Sequence, residues 1–102
     1  SLKLSFKDPF HVCVDGELLS NKLILRAKKA GDRFQPLGFQ AGTMKISDFF
    51  INVKIPEFAR KNWPLLINAT GDIIWVAGLQ IDQKFRVKNT TRKVMEIIIF
   101  QD

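Results

Sequence analysis

The sequence predicts an α+β fold in which short β-strands lie on either side of two short helices. Short apolar runs bounded by turn-forming residues recur before residue 27 and after residue 64, as is typical of strands. Between them, segments 48–54 and 57–61 carry helix signals: an apolar stripe in the first, and charges that suit the helix dipole in both. Because 102 residues suffice for one domain, we expect residues 1–102 to form a single unit.

Residues 6–14 have the composition of extended chain. Residues 11–14 (HVCV) alternate valine with His11 and Cys13, and Asp15-Gly16 is a favoured two-residue turn, so a β-hairpin is predicted here. The next apolar run, Lys22 to Arg26 (KLILR), is too short for a stable helix and is predicted to be a buried strand.

The segment from Gly31 to Gly38, GDRFQPLG, is predicted to be a shaped loop. Glycine permits positive φ and proline fixes φ, so the two glycines and the proline restrict the path of the backbone. We expect Phe34 and Leu37 to point into the core. Asp32 has two interpretations, as a turn cap or as part of a binding surface, and Arg33 could likewise pair with a carboxylate such as Asp48 or Asp82.

The first helix is predicted from about Asp48 to Lys54, with Ser47 capping its first turn. Its buried stripe has the spacing i, i+3, i+4, i+7 and consists of Ile46, Phe49, Phe50 and Val53. Pro56 ends this helix and can begin the second, Glu57 to Lys61.

The C-terminal part is predicted to be β structure. Leu65 to Asn68 and Ile73 to Val76 are strand-like runs joined by a four-residue segment suited to a hairpin, and Gly78 breaks the second run. The last run, Val94 to Phe100, is apolar on both faces except at Glu96, which predicts a strand near the middle of a sheet.

The net charge of +6 is unevenly distributed. Residues 1–25 hold three basic and three acidic side chains, so the whole excess arises after them. Such a bias favours a polyanionic partner such as nucleic acid, although a solvated charged face is the plain alternative. The candidate RNA-binding residues are the basic residues in and around the loop and the helices. They are Arg26, Lys28, Lys29, Arg33, Lys45, Lys54, Arg60 and Lys61.

Several site classes find no support. Cys13 is the single cysteine, so no internal disulfide and no cysteine-pair zinc site is expected, which suits a reducing cytoplasm. His11 and Cys13 share one side of a strand, but nothing around them indicates a nucleophile, and we predict no catalytic and no metal-binding residue. No apolar run is long enough to span a membrane. Because residue 1 is Ser, we expect a longer parent protein.

With these residues identified, the chain resembles the C-terminal domain of tRNA(Ile)-lysidine synthetase from about Lys22 to Met95. The resemblance depends on the order of many short matches. They are Arg26, GDRFQPLG at 31–38, Lys45, SDFF at 47–50, KIP at 54–56, Arg60, Pro64-Leu65-Leu66, Ile74-Trp75-Val76, Gly78, Asp82 and Phe85-Arg86-Val87. Residues 1–20 lie outside this match.

The resemblance implies a fold and a function. The expected fold is a small β-sandwich with helices, similar to a domain of the phenylalanyl-tRNA synthetase β chain. The parent enzyme attaches lysine to the wobble cytidine of tRNA(Ile) with ATP, which binds in a separate N-terminal domain whose SGGxDS loop is not found here. This part is expected to be non-catalytic, to need no cofactor, and to hold the tRNA near its acceptor stem.

The expected partners are therefore tRNA(Ile) and the N-terminal catalytic domain of the same chain, in the cytoplasm and away from membranes. A homodimer stays open. The rival interpretation is a structural or dimerisation module without RNA contact, and a free-standing enzyme is a third.

Overall fold

The fold was analysed in a computed structural model that describes residues 9–40 and 42–100. The strands and helices of these residues follow the predicted α+β order, with single 3₁₀ turns at Gly16–Leu18 and Gln83–Phe85. Neither helix reaches the length and apolarity that a membrane crossing requires. The elements are β1 Phe10–Asp15, β2 Leu23–Arg26, β3 Arg33–Phe34, β4 Met44–Lys45, α1 Ile46–Asn52, α2 Glu57–Arg60, β5 Leu65–Asn68, β6 Ile73–Val76, β7 Gln80–Ile81 and β8 Val94–Ile99.

A four-stranded antiparallel sheet, in the order β2-β5-β6-β7, forms the centre of the domain. The predicted hairpin is present as β5 and β6, joined through residues 69–72. Every residue of these two strands is buried. The middle of the sheet is therefore covered on both faces, as in a sandwich.

Alternate residues of β5 divide the core into two parts. Leu65 and Ile67 belong to a cluster with residues of the loop and α1, whereas Leu66 packs with the inner face of β1 and β8. The first cluster is Phe34, Ile46, Phe49, Phe50, Ala59, Trp63, Leu65, Ile67, Ile73 and Val76. The helices thus cover one face of the sheet, and the ribbon of β1 and β8 covers the other.

The predicted hairpin at Asp15-Gly16 is wrong, because β1 pairs along its whole length with β8. The Asp15 carboxylate accepts a hydrogen bond from the Glu17 amide at 3.1 Å and caps a 3₁₀ turn instead of a reverse turn. The Gly16 amide donates to the Lys93 carbonyl at 2.8 Å. The chain therefore leaves the ribbon here, and the partner strand comes from the other end of the sequence.

Two predictions of strand burial are also wrong. The strand β2 lies at the edge of its sheet, and Leu23, Ile24 and Leu25 are 37%, 51% and 52% exposed. The strand β8 has β1 as its partner and alternates exposed and half-buried residues, so it is not central to a sheet. Apolar composition showed that these segments are strands but did not determine what covers them.

The first helix differs from its prediction at both ends. It begins at Ile46, whose amide donates to the Asp32 carbonyl at 3.0 Å, so the loop backbone does what Ser47 was expected to do. It ends at Asn52, which leaves Val53 42% exposed outside the buried stripe. Leu37, expected in the core, is exposed as well. The other three stripe residues and Phe34 are buried as predicted.

Candidate nucleic-acid interface

The loop Gly31–Gly38 is shaped as its sequence predicts. Gly31 and Gly38 both have a φ of 86°, a conformation that glycine adopts without strain. Phe34, at 1% exposure, packs edge-on against Phe49 with ring centroids 5.0 Å apart. The loop is therefore fixed to the core by its aromatic residue, and Arg33 beside it is exposed.

Arg26 and Asp32 form a two-pronged ion pair beneath the loop. Arg26 Nη1 lies 2.7 Å from Asp32 Oδ2, and Arg26 Nη2 lies 3.1 Å from Oδ1. Both side chains are largely shielded from water. The charge of Arg26 is thus neutralised by a neighbouring carboxylate, and its contribution is to hold the loop against the end of β2.

Asp32 connects three segments. Its Oδ2 also accepts from the Lys29 amide at 2.7 Å, and its backbone carbonyl accepts from the Ile46 amide. Burial alone would raise the pKa of the Asp32 carboxyl, but the hydrogen bonds from Arg26 and Lys29 outweigh it and hold that pKa below its ordinary value. Asp32 therefore acts as a turn cap, which is one of the two interpretations that the sequence left open, and it fixes Lys29 close to the start of α1.

Three lysines surround the pocket that this arrangement creates. Lys28, Lys29 and Lys45 line a depression of about 280 Å³ together with Gly31 and Asp32. Lys29 and Lys45 are exposed and Lys28 is half-buried. Among the described residues, none of the three pairs with a carboxylate.

Arg33 extends this basic surface across the short β3–β4 ladder. It lies directly opposite Lys45 in the register, so the two exposed cations share one face. Arg33 does not pair with Asp48 or Asp82. It donates instead to the Thr43 hydroxyl from Nε and to the Thr43 carbonyl from Nη2, both at 3.0 Å. These bonds orient the guanidinium. We call the four residues Lys28, Lys29, Arg33 and Lys45 the basic loop surface.

The other three candidates lie at the far end of α1. The seven residues of this helix span about 10 Å, which separates Lys54 from Lys45. Lys54 and Lys61 are exposed, whereas half-buried Arg60 donates to the Ile55 carbonyl at 2.8 Å. Arg60 is thus engaged in holding the connection between the helices.

One cation near the loop was absent from the sequence prediction. Lys84 lines a second depression with Arg33 and Asp82, and its ammonium lies 3.1 Å from the Asp72 carboxylate. Lys84 lies in the 3₁₀ turn that follows β7 and that Asp82 caps. The local sequence does not indicate that this turn brings Lys84 close to the loop. Because Lys84 is paired with Asp72, its charge is partly neutralised and it attracts an anion less strongly than an unpaired lysine would.

Comparison with known proteins agrees with this fold. Residues 23–97 match the family model described as the TilS substrate C-terminal domain. A crystal structure of the TILS C-terminal domain superposes with a TM-score of 0.71 at 31% identity, covering 97% of this chain and 73% of that one. An N-terminal fragment of the phenylalanyl-tRNA synthetase β-subunit from Pyrococcus horikoshii gives a TM-score of 0.70 at 17% identity, covering 89% of this chain and 28% of that one, which indicates a shared fold.

Curated relatives are named tRNA(Ile)-lysidine synthase. The protein from Clostridium acetobutylicum is 38% identical over 85 residues, which are 83% of this chain and 18% of that protein. The protein from Bacillus subtilis is 40% identical over 76 residues, which are 72% of this chain and 16% of that protein. This chain therefore spans less than a fifth of the length of these relatives.

Proposed function

This chain belongs to the TilS substrate C-terminal domain family, and from that premise we propose that it is a tRNA-binding module of a tRNA(Ile)-lysidine synthase. It holds tRNA(Ile) near the acceptor stem, while lysine is attached to the wobble cytidine in an ATP-using N-terminal domain of the same cytoplasmic enzyme. The module itself is non-catalytic and binds no cofactor for the reaction.

The observation that carries the proposal is the pair Arg33 and Lys45. Like charges directly opposite each other on two strands destabilise the pair, and in the described residues no carboxylate lies within ion-pairing distance of either cation. A phosphate between them would relieve the repulsion and could accept hydrogen bonds from both. Lys28 and Lys29 border the same surface and add further positive charge.

The shape of the surface favours a stem over single-stranded RNA. Phe34, Phe49 and Phe50 are buried, so the loop offers no exposed aromatic ring on which a base could stack. Double-stranded RNA is recognised mainly through its shape, its phosphates and its 2′-hydroxyls. A surface of lysine and arginine side chains on a rigid loop suits that mode.

Salt dependence tests this mechanism. Four phosphate contacts predict a slope of about −3 to −3.6 for log affinity against log salt, or a loss of about 100-fold between 50 and 200 mM. The measurement is a fluorescence anisotropy titration of the chain with a labelled acceptor-stem hairpin. Affinity that does not change with salt would refute phosphate binding.

Matched variants identify the surface. Lys29→Gln with Lys45→Gln should lower the slope by about 1.4 to 1.8, because two contacts are lost. The control is Lys22→Gln with Lys88→Gln, which removes the same charge from two other exposed positions. Equal losses in the two double variants would show that net charge acts without a defined site.

A structural or dimerisation module is the second candidate, and the exposed apolar side chains of β2 favour it. Arg33→Glu with Lys45→Glu separates the two functions when RNA affinity and molar mass by light scattering are measured together. Loss of affinity at unchanged mass supports RNA binding. Loss of assembly at unchanged affinity supports the structural or dimerisation module.

An assay with ATP, lysine and tRNA should give no product from this chain.

A further inference from the structure

The outer face of the ribbon brings together three side chains of metal-ligand type. His11 and Cys13 are two residues apart on β1 and point to the same side, as their alternation predicts. Glu96 of β8 lies directly opposite Cys13 in the register. The His11 Nε2 and Glu96 Oε2 atoms are 2.6 Å apart, and the candidate ligand atoms of all three residues lie within 4.8 Å of one another.

We propose that His11, Cys13 and Glu96 form a binding site for a divalent transition metal of the zinc type. Imidazole nitrogen, thiolate sulfur and carboxylate oxygen are the three donors that zinc accepts, at about 2.0 to 2.3 Å. Tetrahedral coordination at those lengths requires separations of about 3.3 to 3.7 Å between ligand atoms. The His11–Glu96 separation of 2.6 Å is shorter than this range and the other two are at most 4.8 Å, so small side-chain rotations suffice.

The environment permits these rotations. All three residues are exposed, and the side chains of His11 and Glu96 are 50% and 59% accessible. A metal can reach them without unfolding of the ribbon, and water can fill the fourth position. The ion would join two strands whose residues lie 85 positions apart in the sequence, so binding would stabilise the folded chain by mass action.

The alternative is an ordinary cross-strand contact between His11 and Glu96, which accounts for two of the residues and leaves the thiol without a role. The sequence prediction of no metal site was made because a second cysteine is absent. It missed Glu96, which only strand pairing brings near. His11 and Cys13 precede the matched residues 23–97 and Glu96 lies within them, so two of the three proposed ligands fall outside the family match.

Cobalt spectroscopy tests the site directly. The tag-free chain is titrated with Co²⁺ under a non-thiol reductant, and a tetrahedral site with thiolate gives visible d–d bands and a near-ultraviolet charge-transfer band. We expect saturation at one Co²⁺ per chain and displacement of the bands by Zn²⁺. The pale spectrum of six-coordinate Co²⁺, or saturation at one ion per two chains, would overturn the proposal.

Substitutions assign the ligands. Loss of even an outer-shell partner of a metal costs about 10- to 100-fold in affinity. Since His11, Cys13 and Glu96 are proposed as direct ligands, Cys13→Ser, His11→Gln and Glu96→Gln should each weaken binding at least tenfold. Glu17→Gln, an exposed carboxylate beyond the end of β1, is the matched control and should bind as the parent chain does. Undiminished binding by Cys13→Ser would overturn the assignment. If a variant fails to fold, the parent chain decides, because Zn²⁺ must raise its Tm and a chelator must reverse the rise.

Discussion

Replacement of Asp32 by Asn probes the link between the ion pair and the basic loop surface. Both carboxylate oxygens of Asp32 accept hydrogen bonds, from the Arg26 guanidinium and from the Lys29 amide. In Asn, an NH₂ group would replace one of these oxygens and would face a hydrogen-bond donor of Arg26 or Lys29. Removal of one partner from a fully buried pair costs about 3 to 5 kcal/mol, and an exposed pair contributes about 1 kcal/mol or less. At 14% and 22% side-chain exposure, a loss of about 2 kcal/mol is expected.

Urea and thermal unfolding measure this loss, which for a domain of this size corresponds to about 10 °C in Tm. The matched control is Asp72→Asn, which breaks the Asp72–Lys84 pair at 50% and 57% exposure and should cost less than about 0.5 kcal/mol. Equal losses from the two variants would refute the argument that burial distinguishes these pairs.

The same variant separates positioning from net charge in RNA binding. Asp32→Asn makes the chain more positive, so charge alone predicts tighter binding. If Asp32 acts by holding Lys29 and the start of α1 in place, affinity should fall and the salt slope should drop by about 0.9, the value of one phosphate contact. Tighter binding of the hairpin would show that the order of the loop is unimportant.

Two further predictions concern stability. Gly78 has a φ of 73°, and a Cβ there would lie 2.4 Å from the Phe10 ring. Gly78→Ala should therefore lower the free energy of unfolding in urea by about 3 kcal/mol or more. The control is Gly71→Ala, where φ is 95° but the space is open, and the expected loss there is about 1 kcal/mol. Folding lowers the pKa of Asp32, so its ionised carboxylate stabilises the folded chain. This contribution is complete above the ordinary Asp pKa near 4 and is lost as the pH falls through the pKa of Asp32 in the folded chain. Unfolding free energy should therefore decline more steeply below about pH 4 in the parent chain than in Asp32→Asn, and equal slopes would contradict this.

Local signals in the sequence predicted the local parts of the fold. The hairpin of β5 and β6, the two helices and the positive φ of Gly31 and Gly38 follow from turn residues and spacing within a few positions. The pairing of β1 with β8 does not, because it joins residues 79 to 89 positions apart and competes with a plausible turn at Asp15. Apolar strands at an edge and at the centre of a sheet also look alike in composition, which is why β2 was predicted to be buried.

The candidate interface was predictable to a similar degree. Charge and family resemblance identified the basic residues, but they could not show that Arg26 is neutralised by Asp32 or that Arg60 binds a carbonyl. The opposition of Arg33 and Lys45 depends on a ladder of two residues, which no periodicity reveals. Sequence thus supplied the set of cations, and strand register selected among them.

The sheet separates the two proposed sites, which makes each a control for the other. Phe34 and Ile46 neighbour the basic loop surface and belong to the core on the helix side, whereas Val14 and Met95 neighbour the proposed metal ligands and pack on the ribbon side. Alternate residues of β5 face these two layers, so the sheet lies between the sites, and Phe10 of β1 also links the layers directly because its ring stacks on Trp63 of the helix-side core. Cys13→Ser should therefore leave hairpin affinity unchanged, and Lys29→Gln with Lys45→Gln should leave Co²⁺ binding unchanged. An effect of either on the other site would mean that the layers move together, and the two functions would then have to be analysed as one.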